Sequence, residues 1–387
     1  MKLHSKIFRS ATITYTYLLL TTTSYSQTTN QTIKSRIDSL VQKIMNEHKI
    51  VGISIGIVKN DEIFYSKGYG TKDIKTKSPI DHMTNFLTCS ISKLFTATAI
   101  MQLVEQGKVD IRKKLTDYVP DFVMKDKRYQ EITIEQMLTH TSGLPNIFNK
   151  YYIKPKSEAT ELTEFSQKLK KEKLRYAPNV PLSESTYSNT GYNILGLVIE
   201  RVTGQTFSDY VSQHVLNIAG MDSSSFSYSK INSERRSKPH KKQWLSKKVK
   251  VSNYYPDIPQ DKPCGNLNSC ANDLCSWMLH NLSIYNATNK KKGVLERNTL
   301  TDMWMTKRDI PPYKTSIGLG WWITQSDKYG KYVFHVGNDP GYSATLIISP
   351  TNNFGIVVLC NALYPKEVVW NTMPFEIMNL FKDEWKK

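Results

Sequence analysis

The 387 residues are 39% hydrophobic and 22% charged, enough apolar material for one large domain or two closely packed ones. The 22 Tyr and 7 Trp exclude an intrinsically disordered chain. The formal net charge of +18 favours anionic partners, but no zinc-finger, RNA-recognition or helix-turn-helix pattern accompanies it, so nucleic acid is not expected.

Residues 1–26 read as a signal peptide. Lys2, Lys6 and Arg9 form a basic start, an apolar-leaning stretch around Leu18, Leu19 and Leu20 follows, and Ser24-Tyr25-Ser26 places small residues at the cleavage positions. The stretch is too short to span a bilayer, and no other segment is long and apolar enough to be a transmembrane segment. No Cys stands at the cleavage site, so no lipid anchor is indicated. Cleavage leaves residues 27–387 with a net charge of +15. The expected location is outside the cytoplasm, periplasmic or extracellular.

The first helix is expected over residues 33–48, where Ile33, Ile37, Leu40, Val41 and Ile44 recur at helical spacing. Residues 51–58 and 63–69 read as two strands around a turn at 59–62. Residues 90–106 read as a helix stopped by Gly107. Further helical patterns occupy 133–139, 158–173 and 191–203. Residues 228–262 form a polar connection with nine Lys or Arg between Lys230 and Lys250. This is a solvated loop or a contact for an acidic cell-wall polymer. Residues 331–336, 342–349 and 354–360 read as three strands, the last two joined by the turn Pro350–Asn353. A final helix is expected over 366–382. Strands at both ends and helices between them predict an α+β fold, a mostly antiparallel sheet with a helical region inserted. The sheet region is placed at 33–110 and 263–387, the helical region at about 111–262. The five cysteines are odd in number, and their spacing fits packed core thiols better than zinc ligands.

Three short elements carry candidate chemistry. Ser90 and Lys93 stand three apart at the start of the 90–106 helix, so they share a face, and the amine can take the hydroxyl proton. The helix start also offers backbone N–H groups to a developing oxyanion. The same spacing recurs at Ser227–Lys230, in a polar loop without an apolar helix after it, and is taken as chance. Tyr187 and Asn189 precede the 191–203 helix; a Tyr hydroxyl can relay a proton and an Asn amide can hold a substrate carbonyl. His335 and Gly337 alternate onto one face of a strand, where Gly337 would admit a substrate backbone. A rival, Gly52-Ile53-Ser54-Ile55-Gly56, matches the nucleophile elbow of α/β-hydrolases, but that motif needs a turn and a helix after the Ser. Here the strand runs on, so Ser54 is read as a strand residue.

Taken in order, these elements resemble the serine β-lactamase and penicillin-binding protein superfamily, in its class C-like branch of D,D-peptidases, D-aminopeptidases and esterases. The likeness extends through Leu138–Leu144 (LTHTSGL), Tyr187–Tyr192 (YSNTGY), Gly318–Trp321 (GLGW), His335–Gly341 (HVGNDPG) and Ile356–Asn361 (IVVLCN). It implies an antiparallel five-stranded sheet flanked by helices, with an all-helical region beside it. It also implies an acylated nucleophile at Ser90, proton transfer shared by Lys93 and Tyr187, and a substrate-orienting amide at Asn189. The oxyanion hole would come from the backbone N–H groups of Ser90 and Asn338. His335 stands where many relatives carry Lys, which makes recognition of a free carboxylate less assured, and Asn338 replaces a smaller residue. His140 is expected to fix a loop.

The reading is a serine hydrolase with no metal or cofactor, acting on a small-molecule or peptide substrate, such as a D-amino-acid peptide or small ester. The alternatives are a β-lactamase or D-alanyl-D-alanine carboxypeptidase and, in another class, a sensor that is acylated once without turnover.

Overall fold

The computed structural model describes residues 30–147, 157–243, 248–253, 257–287, 293–310 and 314–385; the expected signal peptide lies outside them. The strands are β1 (Gly52–Lys59), β2 (Glu62–Gly70), β3 (Phe86–Leu87), β4 (His240–Lys242), β5 (Val249–Val251), β6 (Asn268–Ser269), β7 (Arg308–Asp309), β8 (Thr315–Ile317), β9 (Trp322–Ser326), β10 (Gly330–Asp339), β11 (Tyr342–Ser349) and β12 (Phe354–Cys360). The helices are α1 (residues 30–48), α2 (Ser92–Glu105), α3 (Leu115–Tyr118), α4 (Ile134–Leu138), α5 (Glu161–Lys168), α6 (Asn189–Thr203), α7 (Phe207–Val211), α8 (Lys262–Gly265), α9 (Ala271–Asn286), α10 (Arg297–Met303) and α11 (Met373–Asn379). The chain divides into two compact units, residues 50–374 and a smaller one that ends at Lys49 and resumes at Phe375. In the smaller unit, α1 buries Ile33, Ile37, Val41 and Ile44, the three-to-four spacing that marks it as a helix in the sequence.

The larger unit is built on one antiparallel sheet of order β2-β1-β12-β11-β10-β9-β8-β7. The five expected strands form one side of it, and three more extend it. Those three are short: β7 has two residues, β8 three and β9 five. Runs of that length are too brief to show a period, so only neighbouring strands disclose them. β11 and β12 are buried at every position, so both of their faces are covered. α9 supplies cover over β1 and β12: a Cβ on Gly56 would lie 2.4 Å from Cys275 Sγ, and one on Gly355 would lie 2.8 Å from Met278 Sδ. Ser54 is fully buried in mid-strand, and its hydroxyl donates to the Asp81 carbonyl at 3.3 Å, in keeping with a strand residue.

α2 is buried at every position from Ser92 to Leu103, which makes it a core helix without a polar face. The helical patterns at 133–139, 158–173 and 191–203 correspond to α4, to α5 with its flanking 3₁₀ turns, and to α6. α4 starts with a reciprocal cap: Thr133 Oγ1 accepts from the Gln136 N–H, and Gln136 Oε1 accepts from the Thr133 N–H. α6 starts on Ser188, whose Oγ accepts from the Gly191 N–H, and stops at Gly204 in a left-handed conformation. The polar 228–262 connection contains the β4–β5 hairpin. The final helix begins at residue 366, as expected, and passes through a π-helical turn over Val368–Thr372 before α11. All five cysteines are buried free thiols.

Gly56 lets α9 approach β1. Gly56→Ala should therefore lower stability by about 1–3 kcal/mol through overpacking against Cys275 and the Ala271 carbonyl. Urea denaturation at neutral pH measures this; an unchanged midpoint would mean that α9 shifts freely.

Candidate active site

Ser90 does not lie in the helix as expected. It sits in a one-turn 3₁₀ segment, Cys89–Ile91, and α2 begins two residues later at Ser92. The turn is fixed from within and without: Ser92 Oγ donates to the Cys89 carbonyl at 2.6 Å and accepts from the Leu267 N–H at 2.9 Å. Cys89 itself has φ +53, a left-handed conformation rare for a residue with a side chain. The three-residue spacing survives the helix junction, because Lys93 Nζ lies 3.0 Å from Ser90 Oγ. Lys93 is fully buried. Its Nζ also donates to the Cys264 carbonyl at 2.7 Å.

That carbonyl belongs to a stretch laid along α2 and α6. Thr96 Oγ1 donates to the Pro263 carbonyl at 2.6 Å, and a Cβ on Gly196 of α6 would stand 2.3 Å from Pro263 Cγ. Asn193 Nδ2 donates to Asp261 Oδ1 at 2.7 Å. Lys262 pairs with Glu161 at 2.7 Å and with Glu158 at 2.9 Å, tying the stretch to α5 and the turn before it. Burial pushes the Asp261 carboxyl up to about 6, against the opposing pull of the Asn193 amide and the Lys93 charge.

Tyr187 and Asn189 flank the N-cap of α6. The Tyr187 ring has Lys93 Nζ 5.0 Å from its centre and stacks on His140 at 4.2 Å. His140 Nδ1 accepts from the Ser188 N–H at 3.2 Å, so the Leu138–Leu144 loop and the Tyr187–Asn189 loop are fastened together, as a loop-fixing role requires. Burial holds the imidazole neutral, well below its usual range. Asn189 takes a backbone contact from Asn146, whose Oδ1 accepts its N–H at 3.4 Å, while the buried Asn189 Oδ1 has no partner among the described residues.

β10 forms the opposite wall. Its pairing with β9 ends at Phe334 and Trp322, and its pairing with β11 continues through Asp339. His335 is 2% exposed, and burial first, then the Lys93 charge, pushes its pKa down to about 3. Nδ1 lies 2.7 Å from the Val336 carbonyl, which only accepts, so Nδ1 carries the proton and Nε2 is the acceptor. Gly337 has a different neighbour from the one expected. A Cβ there would lie 2.4 Å from the Thr88 carbonyl and 3.0 Å from the Ser90 amide nitrogen, so its bareness admits the Ser90 turn. Trp370 Nε1 donates to the Gly337 carbonyl at 3.1 Å.

Ser90, Tyr187, Asn189, His335 and Asn338 all line one cavity of about 640 Å³, with Lys93 and Gly337 in contact with the Ser90 turn behind it. Asn146, Trp322, Asp339 and Trp370 also line it and were not singled out in the sequence. Asp339 is 7% exposed, and burial, then the Asp261 charge, raises its carboxyl to about 8. No Lys or Arg lines the cavity among the described residues. The second copy of the Ser-x-x-Lys spacing has no part in it: Lys230 pairs with Asp209 at 3.6 Å on the surface. Among the described residues no group of His, Cys, Asp and Glu is placed to hold a metal ion, and no helix is long and apolar enough to cross a membrane.

Comparison with known proteins matches the beta-lactamase family model to residues 37–372. The chain is similar to protein flp of Staphylococcus aureus (strain MW2), 28% identical over 331 residues, 85% of this chain and 63% of that one. It is likewise similar to penicillin-binding protein 4* of Bacillus subtilis (strain 168), 25% identical over 82% of this chain and 69% of that one. It therefore spans less than two thirds of the length of the first curated relatives it matches. The crystal structure of penicillin binding protein from Bacillus halodurans has a TM-score of 0.71 to it at 25% identity, over 89% of this chain and 98% of that one. The matched segment contains Ser90, Lys93, Tyr187, Asn189, His335, Gly337 and Asn338, and the chain belongs to the beta-lactamase family, within the serine β-lactamase and penicillin-binding protein superfamily.

Proposed function

We propose that the protein is an exported serine hydrolase that cleaves an amide or ester bond through an acyl-enzyme on Ser90, with a D-amino-acid peptide or a small ester as substrate. The observation that carries this reading is the 3.0 Å contact between Lys93 Nζ and a serine hydroxyl that lines a large cavity. In acylation, Ser90 Oγ attacks the substrate carbonyl carbon as its proton passes to Lys93. The new C–O bond forms, the bond to the leaving group breaks, and the leaving group departs with a proton delivered through Tyr187. Water then attacks the ester, frees the acid and restores the Ser90 hydroxyl. The N–H groups of Ser90 and Asn338 are assigned to the carbonyl oxygen, and the unpartnered Asn189 Oδ1 to a substrate N–H.

The neutral His335 and the absence of Lys or Arg among the described lining residues support a substrate without a carboxylate at this wall. Residues 1–26 are read as a leader removed on export, into a periplasm or to the exterior. Penicillin hydrolysis or D-alanyl-D-alanine carboxypeptidase action is the second enzymatic reading, favoured by the similarity to penicillin-binding protein 4*.

Intact-protein mass during turnover of a p-nitrophenyl ester tests the nucleophile. The protein should show an acyl adduct that forms and clears, and Ser90→Ala should show none and lose at least about 10³-fold in rate. Equal rates in both proteins exclude Ser90, and an adduct that never clears supports a sensor instead. Gly337→Ala should cost about 10–100-fold in kcat/KM by displacing the Ser90 turn. Retention of full activity would show that this contact does not position the nucleophile.

Two buried imidazoles should withdraw stability from the fold in a defined acid window. His335 and His140 are neutral when folded, with pKa values depressed by burial, whereas in the unfolded chain each takes up a proton as pH falls through about 6.5. Stability present above about pH 6.5 is therefore lost on descent toward about pH 3. The raised carboxyls of Asp339 and Asp261 act in the opposite sense over the same range, so the test is the difference in slope: between about pH 7 and about pH 4 the urea midpoint of His335→Gln should gain relative to that of the unsubstituted protein. An identical slope in the variant would show that His335 is charged in the fold.

A further inference from the structure

The β4–β5 hairpin carries an arrangement that folding alone does not favour. Its register places Lys241 directly opposite Lys250, both exposed. Like charges facing each other across two strands repel, and the described hairpin residues include no Asp or Glu to offset them. A second basic segment lies against it. The Lys238 N–H donates to the Lys72 carbonyl at 2.9 Å, and the Ile74 N–H donates to His240 Nε2 at 3.1 Å. Lys75 and Lys77 are exposed on that 71–78 loop. The one buried acid of the loop, Asp73, is already paired with Lys238 at 2.8 Å. Across residues 71–78, 234–243 and 248–253 there are ten Lys or Arg and two acids, Asp73 and Glu234.

This basic surface is fixed to the rim of the cavity. The Tyr342 hydroxyl donates to the Ser237 carbonyl at 2.5 Å, and a Cβ on Gly341 would stand 2.2 Å from Pro239 Cβ. Gly341 follows Pro340, which lines the cavity. His240 completes the joint: its Nδ1 donates to the Asn361 carbonyl while Nε2 receives the Ile74 N–H, which requires the neutral ring.

We propose that the β4–β5 ribbon and the 72–77 loop together form a docking surface for a linear polyanion, which holds the cavity against the polymer. A compact anion would need a walled site, whereas these charges are spread along an exposed ribbon. A lipid surface would need several apolar side chains to insert; the exposed positions of the described ribbon are lysines, and the 72–77 loop exposes a single large apolar residue, Ile74, among them. The inference rests on the hydrolase reading only for what the docking serves; the binding itself is independent of it.

The test uses fluorescence anisotropy with labelled polyglutamate and labelled inorganic polyphosphate, at about 50 and about 200 mM NaCl. The protein should bind at least one polymer at the lower salt and bind at least about tenfold more weakly at the higher. Lys241→Glu should weaken binding at least about tenfold. It turns the cross-strand repulsion into an attraction, so its thermal midpoint should not fall, and lost binding is then not lost folding. Ser90→Ala should bind polymer as the unsubstituted protein does, so failure of docking and failure of hydrolysis read separately. Equal binding by Lys241→Glu, no binding to either polymer, or binding confined to anionic vesicles would each overturn the proposal, the last in favour of a lipid surface.

Discussion

An amine buried without access to water is the constraint around which the larger unit is organised. Lys93 is fully enclosed, and a polar head group in such a place is costly unless it is hydrogen-bonded. Its Nζ lies 2.7 Å from the Cys264 carbonyl and 3.0 Å from the Ser90 hydroxyl. Meeting these demands explains otherwise unrelated features. The 261–264 stretch is bonded to α2 and α6 and tethered to α5 by Lys262, because the carbonyl it presents must not move. The Ser90 turn takes a left-handed residue and a bare glycine against it, because the hydroxyl must reach Nζ from a 3₁₀ segment.

The aromatic wall extends the same logic to the cavity. His140, Tyr187 and Trp322 lie nearly parallel, with interplanar angles of 29°, 15° and 16° among them. The Tyr187 ring is thereby held in a stack with both neighbours. The neutral His140 bonds Ser188, so the stack and the α6 cap are one device. β10 presents its far end to the cavity, since its β9 partner ends at Trp322.

Much of this was legible in the sequence, for physical reasons. Period and length disclosed β1, β2, β10, β11 and β12, because long apolar strands leave a pattern; β7, β8 and β9 were too short to leave one. Ser90, Lys93, Tyr187, Asn189 and His335 stood out because side-chain chemistry at fixed spacing is visible as letters. The Cys264 carbonyl was not visible, since every residue has one. Gly337 was noticed for the wrong neighbour: a sequence shows that a side chain is missing, not what fills its place. Asn146, Trp322, Asp339 and Trp370 come from separate segments and meet only through the fold. The start of α2 was misplaced by two residues, because Ser90 and Ile91 fit either type of helical turn.

The five thiols have a use that has nothing to do with catalysis. Each is buried, and burial raises each pKa, so none is reactive while its surroundings stay closed. They are spread through the larger unit: Cys89 in the Ser90 turn, Cys264 in α8, Cys270 and Cys275 at the start of α9 and within it, and Cys360 at the end of β12. An alkylating reagent therefore reads the opening of each region as a rate, without any introduced label. Cys89 is the informative one, since its alkylation clocks how often the turn that presents Ser90 comes apart, separately from the sheet that Cys360 reports.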